Sequence, residues 1–227
     1  ISNGGAAELY GVFAKTDPEK GAKGITCFLV ERGDGVKTSP LKGKLGLRAA
    51  DTGMVFLDGV RVPKDRVLGK EGEGFRIALS TLDTGRISLA AGAVGLMQRA
   101  LDLSLAYAGE RKQFGKPIAQ FQLVQEHLAA MKLDLEAARL LTYRAAWKKV
   151  KGEPYTLEAS LAKLFASEAA NRVAYRAIQV HGGYGFFEEY EVARLYRDAR
   201  ILTLYEGTSE VQKLIIGAHL TGVRAFA

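Results

Sequence analysis

A glutamate, Glu206, lies between Tyr205 and Gly207 near the end of the chain. Ser209 and Gln212 have the S-x-x-Q spacing of a capping box, which predicts that a helix begins at Ser209. Glu206 then lies in the turn that leads into this helix, and Gly207 allows another group to approach the backbone closely. A carboxylate in a tight, partly apolar turn is a candidate general base. A purely structural glutamate is the alternative that the segment alone leaves open.

The segment 110–117 combines three cations, an amide, an aromatic ring and a glycine. The Arg111 guanidinium is a planar fork suited to phosphate, and the Phe114 ring offers a flat face. This composition is compatible with a bound nucleotide-like ligand. The structural alternative is a solvated loop with Phe114 tucked beneath it.

The segment 179–186 has three glycines within four residues, directly after His181. Glycines let the backbone approach a flat ligand, although a helix cap and a turn account for two of the three. His181 is interpreted as a helix-terminal residue favoured by the helix dipole rather than as a catalytic acid.

Arg86 occupies a position between Leu82 and Leu89 where the helical pattern expects an apolar side chain. An unpaired buried charge is costly, so Arg86 needs a partner. Asp83, three residues earlier, is one candidate, and a polar or anionic ligand is the other.

Composition narrows the classes of function. With 227 residues and 48% hydrophobic content, the chain can bury a substantial core. The single cysteine, Cys27, excludes an internal disulfide framework, fits a reducing compartment and is expected to be buried in a strand. The three histidines lack metal-ligand spacing, and neither a membrane-length apolar run nor a signal peptide is visible. The net charge of +7 is dispersed, which argues against nucleic acid, and a phosphate-bearing small ligand fits this charge equally well.

Residues 1–70 predict a β domain. Turn signals separate short runs rich in strand formers, so the pattern favours an antiparallel sheet, sandwich or small barrel. The predicted strands are Leu9–Ala14, Ile25–Val30, Met54–Leu57 and Val60–Val62.

Residues 71–227 predict a helical domain, because the apolar period changes to three and four from Gly74 onward. Short connections between long helices favour a four-helix-type bundle. The fold class is therefore multi-domain α and β. After the helix that begins at Gly74, the predicted helices cover approximately residues 118–150, 155–180, 188–200 and 209–220.

Several segments together resemble signatures of the acyl-CoA dehydrogenase family, in order and over nearly the whole chain. The β portion and the first helix carry part of the resemblance, and the candidate site segments carry the rest. These segments are 47–52, 58–63, 72–75, 82–86, 90–95, 110–115, 179–186 and 205–212. Family members have an N-terminal helical domain before the segment that matches the start of this chain. This chain also starts without methionine, so we expect it to be a piece of a longer protein.

The resemblance implies an FAD-dependent enzyme that dehydrogenates an acyl-CoA thioester to the trans-2-enoyl-CoA. It implies Glu206 as the base that removes the α-proton. Some relatives place the base at the position of Gly85, and this arrangement is excluded here because glycine has no side chain that could accept a proton. Substrate contacts are implied for Asp83, Arg86 and Gly207. FAD contacts, partly to a neighbouring subunit, are implied for Arg111, Phe114, Gln122, Gln179, Gly182, Gly183, Thr208, Glu210 and Ser2.

The segment 82–86 is most similar to short- and medium-chain members of the family. The resemblance further implies electron-transfer flavoprotein as the electron acceptor and a homotetramer built as a dimer of dimers. The implied location is the bacterial cytoplasm or the mitochondrial matrix. Two alternatives stay open: an acyl-CoA oxidase-like flavoenzyme, and a helical-bundle interaction protein that has lost its flavin site.

Overall fold

The computed structural model describes residues 1–223. The chain divides into two compact units, the first over Ile1–Leu82 and the second from Asp83 onward. The domain boundary that the sequence places after residue 70 stays a prediction, and positions 224–227 of the predicted bundle domain lie outside the described residues.

Strands of the first unit form small antiparallel sheets. The strands are β1 (Leu9–Lys15), β2 (Ile25–Glu31), β3 (Lys37–Pro40), β4 (Gly53–Phe56) and β5 (Val67–Leu68). One sheet has the order β1-β2-β5, and β3 pairs with β4. Cys27 is buried in β2, as its apolar surroundings predict, and this burial raises the pKa of its thiol. The predicted barrel is not confirmed, because no sheet closes on itself within residues 1–223.

One predicted strand is wrong. Val60–Val62 has no strand partner, whereas Val67–Leu68 pairs with β2. Both edges of β2 are paired, one with β1 and the other with β5. The sequence also missed β3, whose polar side chains lack the alternation typical of a half-buried strand.

Helices dominate the second unit. The helices are α1 (Gly74–Glu110), whose first residues belong to the first unit, α2 (Gln122–Val150), α3 (Thr156–His181), α4 (Glu191–Ala199) and α5 (Ser209–Thr221). Strands β6 (Lys112–Gln113) and β7 (Lys116–Pro117) form a hairpin between α1 and α2. The predicted long helices and the start of α5 are confirmed, while α2 and α4 begin a few residues later than the pattern indicates. No helix in residues 1–223 combines the length and the apolar character needed to cross a bilayer.

The α3 helix is the centre of the bundle and contacts α2, α4 and α5. Its buried face consists mainly of small residues, which allow neighbouring backbones to approach closely. These residues are Ala159, Ala162, Ala166, Ala169, Ala170, Val173, Ala174 and Ala177. The larger Leu157, Leu161 and Leu164 are only half-buried, so the predicted inward face of α3 is partly wrong.

Candidate active site

Glu206 and Gly207 form a left-handed turn immediately before α5. Their φ angles are 58° and 85°, a backbone region that costs about 1–2 kcal/mol for a residue with a Cβ. The start of α5 at Ser209 is confirmed, but the cap is Thr208, whose Oγ1 accepts a hydrogen bond from the Val211 amide at 3.4 Å. The predicted capping box is therefore wrong.

Ser209 and Gln212, the expected capping pair, bind elsewhere. The Ser209 hydroxyl donates to Glu168 Oε1 on α3 at 2.6 Å. The fully buried Gln212 side chain turns back and donates to the carbonyls of Glu206 at 3.2 Å and Gly207 at 3.1 Å. These two side chains thus bind α3 and the carbonyls of the turn, and they do not cap the N-terminus of α5.

Two cationic side chains also donate to the carbonyls of this turn. Arg86 Nε on α1 lies 3.4 Å from the Glu206 carbonyl oxygen, and Lys163 Nζ on α3 lies 2.7 Å from that of Gly207. A strained backbone persists only where its surroundings over-determine it, and donors from three helices do so here.

The Glu206 carboxylate packs over Gly85 of α1. A Cβ built on Gly85 would lie 2.5 Å from Glu206 Oε2, so only glycine leaves this space free. Oε2 is buried and has no hydrogen-bond partner among the described residues. A buried carboxylate oxygen without a donor retains its capacity to accept a proton, which is the property required of a general base.

Arg86, the arginine at an apolar position of the helical pattern, is paired within its own helix α1. Arg86 is 5% exposed, and its Nη1 lies 2.7 Å from Asp83 Oδ1. The second Asp83 oxygen accepts a hydrogen bond from the Thr156 hydroxyl at 2.6 Å. The predicted pair with Asp83 is confirmed. The pair lies beside the Glu206 turn, because Arg86 Nε also donates to the Glu206 carbonyl.

A second site is a cavity of about 450 Å³ at the end of α3. It brings together Arg111, Gln179, Gly182 and Gly183, four of the residues singled out in the sequence. Aromatic rings and apolar side chains form the other walls. The remaining lining residues are Tyr107, Gln113, Ile118, Val180, His181, Tyr184 and Phe187.

His181 is part of an aromatic stack in this cavity. Its ring lies 4.4 Å from that of Tyr107, and its Nδ1 donates to the Ala177 carbonyl at 2.8 Å. Burial lowers the pKa of His181, so the ring is neutral at neutral pH. His181 is the last residue of α3, as predicted, but its neutral ring lacks the charge that the helix dipole would favour.

Phe114 lies at the tip of the β6–β7 hairpin, outside the cavity lining. It is 91% exposed, so the loop does not tuck the ring beneath itself as the structural alternative supposed. The φ angles of Phe114 and Gly115 are 51° and 80°, which define a type I′ turn. Gln122, the first residue of α2, is likewise exposed and lies outside the lining.

Three other expected ligand-binding residues lie in local contacts. Thr208 caps α5, and Glu210 lies in its first turn, where backbone and Thr208 hydrogen bonds lower the pKa of the Glu210 carboxyl. Ser2 belongs to the first unit and pairs with Thr52 in an isolated antiparallel bridge. Their assignments to FAD stay predictions.

Sequence reasoning missed Lys163. It is fully buried on the alanine-rich face of α3, one helical turn from Ala159 and Ala166. The signal was present, because a lysine within an apolar helical stripe requires an explanation, as Arg86 does.

Comparison with known proteins identifies the family. Residues 72–221 match the acyl-CoA dehydrogenase C-terminal domain, and this range includes both sites. The chain belongs to the acyl-CoA dehydrogenase family. It is 48% identical over 221 residues to the short-chain specific acyl-CoA dehydrogenase of Megasphaera elsdenii, covering 97% of this chain and 58% of that protein.

Other members of the family show the same partial coverage. The chain is 45% identical to the caffeyl-CoA reductase-Etf complex subunit CarC of Acetobacterium woodii, covering 92% of this chain and 55% of that protein. The structure of butyryl-CoA dehydrogenase from Megasphaera elsdenii superimposes with a TM-score of 0.95 at 48% identity, covering 97% of this chain and 58% of that one. The chain thus spans a little over half the length of its acyl-CoA dehydrogenase relatives.

Proposed function

We propose that the protein containing this chain is an FAD-dependent acyl-CoA dehydrogenase that converts an acyl-CoA thioester to the trans-2-enoyl-CoA, with Glu206 as the base. The observation that carries the proposal is the buried, unpartnered Oε2 of Glu206, held over Gly85 by a turn with a left-handed backbone. Family membership and relatives named as acyl-CoA dehydrogenases support the same activity.

The proton transfer follows from the chemistry of the turn. A thioester α-proton is only weakly acidic, so the base must be close and shielded from water. Glu206 accepts this proton, and the electron pair of the C–H bond becomes the new α,β double bond. The Glu206 backbone N–H is a candidate donor to the thioester carbonyl, which would stabilise the charge that develops on that oxygen.

The second site fits part of an FAD molecule. Its cavity presents flat aromatic walls, and the Arg111 guanidinium lies 5.4 Å from the centre of the Tyr184 ring. A Cβ built on Gly182 or Gly183 would meet nothing within 4 Å, so the backbone is open to a planar ligand. When bound, the flavin supplies a two-electron acceptor for the hydride of the substrate β-carbon. Arg111, Gln179, Gly182 and Gly183 would hold its anionic and adenine side.

Substrate and partner assignments extend the same proposal. Asp83, Arg86 and Gly207 would line the acyl-CoA channel, and Phe114, Gln122, Thr208, Glu210 and Ser2 would complete the flavin contacts. Electron-transfer flavoprotein is the proposed acceptor, supported by the relative named as a subunit of an Etf complex. The proposed assembly is a homotetramer in the bacterial cytoplasm or the mitochondrial matrix.

The decisive experiment replaces the base without changing its shape. In the complete, FAD-loaded protein, Glu206→Gln should lower the rate of flavin reduction by acyl-CoA roughly 10²- to 10⁴-fold. The flavin absorbance and the acyl-CoA-induced change in that absorbance should persist. The exposed Glu19→Gln is the matched control and should react at the wild-type rate.

The same assay separates the alternatives. A Glu206→Gln variant that reduces its flavin at the wild-type rate would refute Glu206 as the base. Rapid reoxidation of the reduced flavin by oxygen would indicate the oxidase, and a purified protein without flavin absorbance would indicate the interaction protein. The reverse reaction, reduction of an enoyl-CoA, can be tested with an enoyl-CoA and a reduced dye. This is the direction for which the caffeyl-CoA reductase relative is named.

A further inference from the structure

Lys163 is a buried charged group that the proposed reaction does not use. Its side chain is 0% exposed, and its Nζ donates to the Gly207 carbonyl at 2.7 Å. Within residues 1–223 it joins no ion pair. In this it differs from the likewise buried Glu158, which pairs with Arg144 and Lys148. Burying an ammonium group costs free energy. A buried lysine whose ammonium has a single backbone carbonyl as its acceptor is therefore expected to have a specific role.

The charges that act on Lys163 come from α1, from α3 itself, from the turn and from α5. Burial lowers the pKa of Lys163 to about 8, and the Arg86 cation on α1 acts in the same direction. The carboxylates of Glu168 on α3, Glu206 in the turn and Glu210 on α5 act in the opposite direction. The negative charges near the turn therefore favour the protonated, ammonium form of Lys163 and partly offset the cost of its burial.

Gly207 is the residue that needs external restraint. It has no Cβ, so its backbone can leave the left-handed region in more directions than that of any other residue. With φ of 85°, it follows Glu206, whose own φ of 58° is unfavourable for a residue with a side chain. Hydrogen bonds to the two carbonyls are thus what keeps both residues in place.

Three donors reach these carbonyls, and they differ in strength. Arg86 Nε is distant at 3.4 Å, and the Gln212 amide divides its bonds between the two oxygens. The Lys163 bond of 2.7 Å is the short, charge-assisted one, and such bonds are roughly twice as strong as neutral ones. Lys163 therefore provides the strongest restraint on Gly207.

We propose that Lys163 is a positioning residue of the active site, whose bond to the Gly207 carbonyl clamps the turn and so holds the Glu206 carboxylate over Gly85. The inference rests on the proposed function and adds a residue to it. Lys163 acts through Glu206 and does not touch the substrate in this scheme. Loss of the clamp should slow proton removal while leaving substrate binding nearly intact, because a displacement of about 1 Å costs up to about 10²-fold in rate.

The test uses Lys163→Met in the complete, FAD-loaded protein, since methionine fills a similar volume without charge or donor. We expect kcat to fall about 10- to 100-fold while KM changes less than about 3-fold. The isotope effect with an α-deuterated acyl-CoA should increase, because proton removal becomes more rate-limiting. Amide hydrogen exchange of the peptide covering 205–209 should become faster.

Two further variants keep the test interpretable. Met131→Ala empties a fully buried core position on α2 and controls for loss of stability alone, so its kcat and isotope effect should stay at wild-type values. Lys163→Gln retains a donor without the charge and should lie between wild type and Lys163→Met in exchange rate. It also replaces Lys163→Met if that variant does not fold.

The outcomes separate this inference from the proposed function. An unchanged kcat and exchange rate in Lys163→Met, beside an inactive Glu206→Gln, would overturn the clamp alone. A loss of kcat matched by Met131→Ala would also overturn it. If the wild-type protein has no dehydrogenase activity, the proposed function fails, and the exchange rate of 205–209 then decides whether Lys163 clamps the turn.

Discussion

Glu206 and Gly85 share one space although they are far apart in the chain. The carboxylate occupies the volume that a side chain at position 85 would need. A glycine inside α1 weakens the helix by roughly 0.5–1 kcal/mol relative to alanine. This cost has a local explanation, because the glycine leaves room for the proposed base.

Gly85→Ala tests this explanation. A methyl group at position 85 must displace the Glu206 carboxylate, whose Oε2 would be 2.5 Å away. We expect kcat to fall about 10- to 100-fold, while the free energy of unfolding stays equal or rises by up to about 1 kcal/mol. Rate measurements and urea unfolding check both values. Gly92→Ala, also on α1 but with nothing within 4 Å of its Cβ, should stabilise the protein without loss of activity.

Lys163 predicts a pH dependence of stability. Its pKa is about 8 in the folded chain against an ordinary value of 10.5, so between these pH values the unfolded state binds more protons than the folded state. Stability contributed by Lys163 therefore increases as pH rises through this window and is lost as pH falls through about 8. Unfolding of wild type and Lys163→Met should be compared from pH 7 to about 11, since other titrating groups cancel in the difference. A difference that does not change with pH would contradict the lowered pKa.

Three helices, α1, α3 and α5, supply different parts of the two sites. The α1 helix provides Gly85 and Arg86, the α3 helix provides Lys163 and ends at the cavity, and α5 begins at the turn. The β6–β7 hairpin presents Phe114 to solvent in a left-handed conformation that is unusual for a bulky residue. Strain of this kind at an exposed aromatic residue is consistent with a binding role.

Phe114→Asn separates strain from binding. Asparagine tolerates the left-handed region, and Asn-Gly is the preferred type I′ sequence, so we expect the free energy of unfolding to rise by up to about 1 kcal/mol. If Phe114 contacts FAD as proposed, the Kd for FAD should increase at the same time. Urea unfolding and FAD titration of the apoprotein measure the two effects. Unchanged FAD affinity would contradict the proposed contact.

At the scale of the whole molecule, α2 carries an apolar stripe that faces solvent in the single chain. Leu133, Leu140 and Trp147 are spaced by seven residues, and their exposed fractions are 72%, 67% and 55%. Large apolar side chains at heptad spacing are typical of a helix that packs against another helix. The proposed homotetramer would give this stripe a partner.

Leu140→Lys tests the role of the stripe in assembly. A lysine at this position would place an unpaired charge in the proposed interface, so the complete protein should sediment as a smaller species than wild type. Analytical ultracentrifugation measures the mass. Glu153→Gln, an exposed change that adds the same unit of positive charge, should leave the mass unchanged. A wild-type mass for Leu140→Lys would exclude the stripe from the interface.

The sequence by itself determined the long helices, the start of α5 and the family, because helical periodicity and short motifs are local properties of the chain. It also gave the pair of Arg86 with Asp83, since three residues separate them on one helix face. It grouped Arg111 with Gln179, Gly182 and Gly183 only through the family resemblance, and the structure places all four around one cavity.

Only the tertiary structure decided the contacts on which the candidate base depends. The approach of Glu206 to Gly85 and the bond from Lys163 to Gly207 join the turn before α5 to α1 and α3, which are distant in the sequence. No local pattern encodes such contacts, because they follow from how α1, α3 and α5 pack. Packing likewise selected the alanine face of α3 over its leucine face, since small side chains allow the backbones to approach more closely.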